Sequence, residues 1–152
     1  MVLKCVEQNL TFHIIIWRAS HDSLLTKMKL LKRNITPNSL CVHCCCDTED
    51  TIHAIWGSLV VKNIWWELER CRPFSVENFS CFRDLFQGIL AQKIPLLAEL
   101  FAYIAWSIWH NRNAQRVGTT TLPLRKIYRN AVDRFQEFQM TQDSSLLQRT
   151  VA

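Results

Sequence analysis

Cys41-Val42-His43-Cys44-Cys45-Cys46, with His53 following, constrains this chain more than any other stretch. Four of the seven cysteines stand within six residues, and His53 comes nine residues after Cys44. Cys-x2-Cys with a histidine at this distance is how a short segment wraps a turn around one zinc ion. A structural zinc site is four-coordinate and tetrahedral. Cys41 and Cys44 have the spacing for one side of such a site, and His53 for a third position. The fourth ligand is expected a few residues after His53, but no Cys or His occurs between His53 and Cys71. Ser58 stands there, and its hydroxyl is a poor zinc ligand near neutral pH. Cys45 or Cys46 is a candidate substitute, although neighbours in a tight turn rarely both point inward. His43 and a water are further candidates. The alternative is a loop of half-buried thiols without metal.

The rest of the composition points to helices. A 152-residue chain makes one domain, or one domain with a small appended module. Hydrophobic residues make up 49% of it, with six Trp and eight Phe as large anchors. Three Gly and four Pro are too few for the many turns of a β-sandwich or barrel. The expected fold is mostly α: a small irregular helical domain with a Cys/His zinc-knuckle loop. Met1 to Leu10 carries Lys4, Glu7 and Gln8 and lacks the apolar run of a secretory signal. No run of about 18 apolar residues exists to span a membrane. An odd, clustered set of cysteines suits a reducing compartment, so an intracellular protein, nuclear or cytoplasmic, is expected.

Phe12 to Ala19 is an apolar run, expected as a short buried helix. From Ser23 to Arg33, Leu24, Met28 and Leu31 recur at helical spacing among Lys27, Lys29 and Lys32, predicting an amphipathic basic helix. Pro37 marks a loop. Thr48 to Thr51 has the acids of a helix start, with Glu49 and Asp50 facing the positive end of the dipole. Ile52, Ile55, Trp56, Leu59, Val60 and Ile64 then predict one helix to about Arg70, weakened at Gly57 and ended by Arg72-Pro73. A helix over Phe82 to about Gln92 follows. Pro95 opens another, to Val117, with Gly118 as its left-handed cap. Pro123 opens the last, with Leu124, Ile127, Ala131, Phe135 and Phe138 inward. The tail from Thr141 has no periodicity and is expected to fray. These readings divide the chain into a module at 8–70, a helical segment at 76–140 and a tail at 141–152.

The net charge of +5 is unevenly placed. Arg18, Lys27, Lys29, Lys32 and Arg33 form one basic block, and the stretch from Arg112 to Arg134 forms another, around an acidic middle. Such blocks make a nucleic-acid-facing surface where they meet, and solvated helix faces where they do not. No paired-carboxylate motif, Gly-rich phosphate loop or Ser-centred turn appears, so no catalysis is expected. His13, His21 and His110 stand alone. The six tryptophans, at helical spacing, are expected in the core rather than stacked on bases.

Several segments in order resemble the zinc-binding domain of plant reverse transcriptases of LINE-type (non-LTR) retrotransposons. They are Trp17-Arg18-Ala19, Leu24-Leu25-Thr26-Lys27, Leu30-Leu31-Lys32-Arg33, Cys41-x2-Cys44, Glu49-Asp50, His53-Ala54-Ile55-Trp56 and Val61-Lys62-Asn63-Ile64-Trp65. That family has a proline where Leu25 stands and a cysteine where Ser58 stands. The resemblance implies ligand roles for Cys41, Cys44 and His53, and withholds one at Ser58. Leu100 to Gly118, with Ala105-Trp106-Ser107-Ile108-Trp109-His110-Asn111-Arg112-Asn113, is similar to the helical segment that follows the module in such elements. Neither polymerase aspartates nor an RNase H carboxylate set is present, so the resemblance implies a non-enzymatic, retroelement-derived accessory to a reverse transcriptase. It would carry zinc and hold RNA or DNA through Lys27, Lys29, Lys32 and Arg33. The alternatives are a decayed element or protein-interaction module without metal, and a redox-sensitive thiol protein using Cys44 to Cys46. The apolar stripes of the later helices leave room for a homo-oligomer.

Overall fold

The computed structural model describes the backbone of residues 2–151 and the side chains of residues 10–74 and 77–150. Cys5 and the charged residues of the N-terminal ten lie outside the described side chains. Among the described residues the fold is helical, with six α-helices: α1 (Val2–Ser20), α2 (Lys27–Lys32), α3 (Leu59–Trp66), α4 (Phe82–Ala91), α5 (Leu97–Val117) and α6 (Leu124–Val151). A π-helical turn over His53–Gly57 precedes α3, and a 3-10 segment over Glu69–Val76 follows it. The mostly α expectation holds.

Helix α5 is the axis. Its apolar residues cover more than one face, so it must be surrounded to leave water. Phe101, Ile104, Ala105 and Ile108 are fully buried, and α1, α4, α6 and the π-helical turn all pack on it. Phe101 sits among aromatic rings: it stacks on Trp65 at 4.6 Å and meets Phe86, Phe82 and Trp56 at 5.8, 6.0 and 6.4 Å. The helix ends at Gly118, whose φ of +76° is the left-handed cap expected from sequence. One continuous core joins Ile15, Leu24, Trp56 and Trp65 from the first half of the chain to Phe82, Ile108 and Ile127 from the second.

Four elements differ from expectation. Helix α1 begins at Val2 instead of near Phe12, and among its described side chains Phe12, Ile15 and Ala19 are buried while Ile14 and Trp17 are exposed. The basic helix contracts to α2, because Ser23 bonds back to the Arg18 carbonyl and Thr26 becomes the N-cap, accepting from Lys29 N at 3.5 Å. The helix expected from Thr51 to Arg70 is broken at Ser58, whose ψ of 134° is not helical. The wide turn before the break leaves the Ile55 carbonyl free, and the buried Trp65 indole donates to it at 2.7 Å. In the tail, α6 is helical through Val151, with Leu146 and Leu147 exposed. The tryptophans split. Trp56, Trp65 and Trp109 are buried, whereas Trp17 and Trp66 are more than half exposed.

Cys71 lies in the 3-10 segment, wholly buried in the main core, and burial pushes its thiol up to about 12. Among the described residues no helix is long and apolar enough to cross a membrane.

Candidate metal centre

The cysteine knuckle is a small hairpin. Leu40 and Thr48 form an isolated antiparallel bridge. Inside it Cys41 N donates to Asp47 O, and outside it Glu49 N donates to Ser39 O, both at 2.8 Å. Cys45 N closes the turn on the Cys41 carbonyl at 2.9 Å. Cys45 then takes a φ of +56°, the left-handed conformation that reverses the chain within so few residues. Downstream, Asp50 Oδ1 accepts from His53 N at 2.8 Å and starts the π-helical turn. Together these fix where the two thiols and the imidazole stand.

They stand together. Cys44 Sγ and His53 Nε2 are 3.4 Å apart. One donor atom from each of Cys41, Cys44 and His53 lies within 4.8 Å of the other two. Zinc bonds of about 2.0–2.3 Å at tetrahedral angles put donors about 3.3–3.8 Å apart. The Cys44–His53 separation matches that spacing, and with all three donors within 4.8 Å of one another the set could hold a metal ion once the wider pairs draw in. Cys45 and Cys46 are exposed, and neither they nor His43 belong to this group. Burial lowers the His43 pKa, which favours a neutral ring. Ser58 is fully buried beside the group in sequence, its N–H bonded to the His53 carbonyl and its hydroxyl without a partner.

The two thiols differ in acidity. Burial pushes Cys41 up to about 11, against the N–H groups of Cys44 and His43, with the Glu49 carboxylate adding to the rise. At Cys44 burial also acts upward. It is outweighed by the N–H groups of Asp47 and Cys46 and by hydrogen bonds from His53 and Cys41, which bring the thiol down to about 6. Since the thiolate is the reactive form, the Cys44 rate rises with pH and levels off once the thiol is ionised. In chelator-treated protein, iodoacetamide labelling of Cys44 is therefore expected to reach half its plateau near pH 6, while Cys41 stays slow through pH 8. Mass spectrometry of the labelled peptides reads this directly. Cys44 labelling that rises only above pH 8 would contradict the geometry.

Sequence reasoning missed the residue that organises the knuckle. Glu49, expected as a helix-start acid, is fully buried. Its carboxylate accepts from Lys27 N at 2.9 Å and Val42 N at 3.0 Å, and it pairs with the equally buried Arg112 through Nε at 3.2 Å and through Nη2. These hydrogen bonds outweigh burial and hold its carboxyl below the usual range. The dipole role passes to Asp50 alone. Arg112 is correspondingly withdrawn from the second basic block. Nothing local in the sequence marks the pair: Glu49 stands among Asp47, Thr48 and Asp50, and Arg112 among His110, Asn111 and Asn113.

The basic residues of α2 remain outside. Lys32 and Arg33 are exposed, Lys27 and Lys29 are half-buried, and Lys29 pairs with Asp22 at 3.4 Å. The Lys27 and Met28 N–H groups both bond to Glu49, through its carboxylate and its carbonyl, so α2 hangs from the knuckle.

A family model described as zinc-binding in reverse transcriptase matches residues 6–65. No curated protein and no solved structure matches the chain. The matched stretch runs from α1 to the last turn of α3 and encloses Cys41, Cys44 and His53. Residues 6–65 are thus similar to the zinc-binding module of reverse transcriptases, and α4, α5 and α6 lie beyond it.

Proposed function

We propose that this chain is a non-catalytic, retroelement-derived zinc module of plant LINE-type origin that holds RNA or DNA alongside a reverse transcriptase. The observation that carries the reading is the convergence of Cys41, Cys44 and His53 within the stretch matched to that family. Zinc held there would supply structure, tying the hairpin to the π-helical turn. The chain's own residues do the rest. Glu49 suspends α2 beside the knuckle, and Lys27, Lys29, Lys32 and Arg33 present charge to phosphates. Exposed Leu10, Ile14 and Trp17, at i, i+4 and i+7 on α1, offer a face for a second copy.

Binding through four phosphate contacts to a single strand gives a slope of log K on log salt of about −3, and little dependence on base sequence. A gel-shift series over salt concentration tests this. Reversing all four charges to glutamate is expected to abolish the shift at low salt. An unchanged affinity, or none in the parent chain, would sink the nucleic-acid reading.

One observation favours a second reading, a decayed or protein-interaction module without metal. Ser58 is buried with its hydroxyl unpaired, as expected where a ligand has been lost. Metal content separates the two readings: one tightly held zinc per purified chain supports the first, and none supports the second.

A further inference from the structure

The carboxylate that organises the knuckle is neutralised from outside the family-matched stretch. Glu49 Oε1 takes Lys27 N and Arg112 Nη2, and Oε2 takes Val42 N and Arg112 Nε, so both oxygens are shared between the module and α5. Val42 lies between the two thiol positions, immediately after Cys41. Its carbonyl accepts from Gln115 Nε2, one turn along α5 from Arg112, at 3.3 Å. Arg112 is itself held, with Nη1 donating to Asn113 Oδ1 at 2.7 Å and its guanidinium 4.5 Å from the Trp109 ring centre. Beside the hairpin's own bonds, from Cys41 N to Asp47 O and from Cys45 N to Cys41 O, both polar groups of Val42 therefore reach α5, the N–H through Glu49 and the carbonyl through Gln115.

We infer that Arg112 is a positioning residue for the metal centre. By neutralising and orienting Glu49 it holds the Val42 N–H, and with it the Cys41–Cys44 turn, in the arrangement that brings the thiols to His53. The site then includes a helix about 60 residues away in sequence, beyond the matched module. Removing Arg112 leaves a buried carboxylate without its counter-charge. Such a group turns toward water, and the turn it holds opens. This inference rests on the metal reading above. Groups that orient metal ligands from behind typically alter affinity by about 10–100-fold when replaced.

The test uses the full chain and cobalt(II) as a visible-absorbing probe of thiolate coordination. Arg112→Gln is expected to weaken cobalt affinity by about 10–100-fold. The double variant Glu49→Leu with Arg112→Met replaces the ion pair by apolar groups, a change that folded proteins often accept. It is expected to keep its helix signal in circular dichroism and still lose affinity to the same extent, because Val42 N has no acceptor. Parental affinity in either variant would overturn the inference and leave the metal reading intact. No cobalt band in the parent chain would overturn both. A third measurement needs no variant. Coupling is reciprocal, so cobalt should slow amide exchange across residues 108–115 of α5 in the parent chain. Exchange there unchanged by the metal would overturn the inference even if both variants failed to fold.

Discussion

A Ser58→Cys chain is expected to bind zinc more tightly than its parent by about 100-fold or more, equivalent to about 2.8 kcal/mol, and to melt higher when zinc is present. The parent gathers two thiols and an imidazole, one donor short of a tetrahedral set. Ser58 follows the π-helical turn that carries His53, and its N–H donates to the His53 carbonyl at 3.0 Å. The serine hydroxyl is buried without a hydrogen bond, a state that costs about 1–3 kcal/mol. Cysteine fits the same volume, hydrogen-bonds weakly, and suits an apolar site better. The substitution therefore removes an unsatisfied group even before metal is added. Competition with a coloured chelator gives the affinity, and calorimetry with and without zinc gives the stabilisation. If neither rises, a residue other than position 58 completes the site.

Phe101→Ala is expected to destabilise the fold by about 3–5 kcal/mol, a fall of about 6–20 °C in melting temperature. The ring is fully buried and touches aromatics from the π-helical turn, α3 and α4. Rings held on three different elements cannot all collapse into the void. Urea unfolding measures the loss as a lower midpoint at unchanged slope. A cost below about 1 kcal/mol would mean that the cluster repacks more freely than close packing allows.

The parts legible in the sequence were those set by short-range rules. Gly118 at the end of a periodic stretch reads as a left-handed cap, and the spacing of Cys41, Cys44 and His53 foretold that they stand together. The inward face of α6 from Ile127 through Phe135 followed from period alone. What stayed hidden depended on contacts across the chain. Apolar positions on both sides of Ser58 keep helical phase, so nothing local announces the break that frees the Ile55 carbonyl for Trp65. Glu49 reads as a dipole acid because Asp50 beside it is one, and only the arrival of Arg112 from α5 shows otherwise. Thr141 onward lacks periodicity because it packs on little, with Leu146 and Leu147 both exposed.

Cys71 gives the molecule a clock. Its thiol is sealed in the main core and, at about 12, almost never ionised, so a reagent meets it only when the core comes apart. Cys45, Cys46 and Cys81 sit at the surface and react without any such event. The ratio of slow to fast modification therefore counts openings of the core around Cys71 against time, using a residue the chain already carries and no added label.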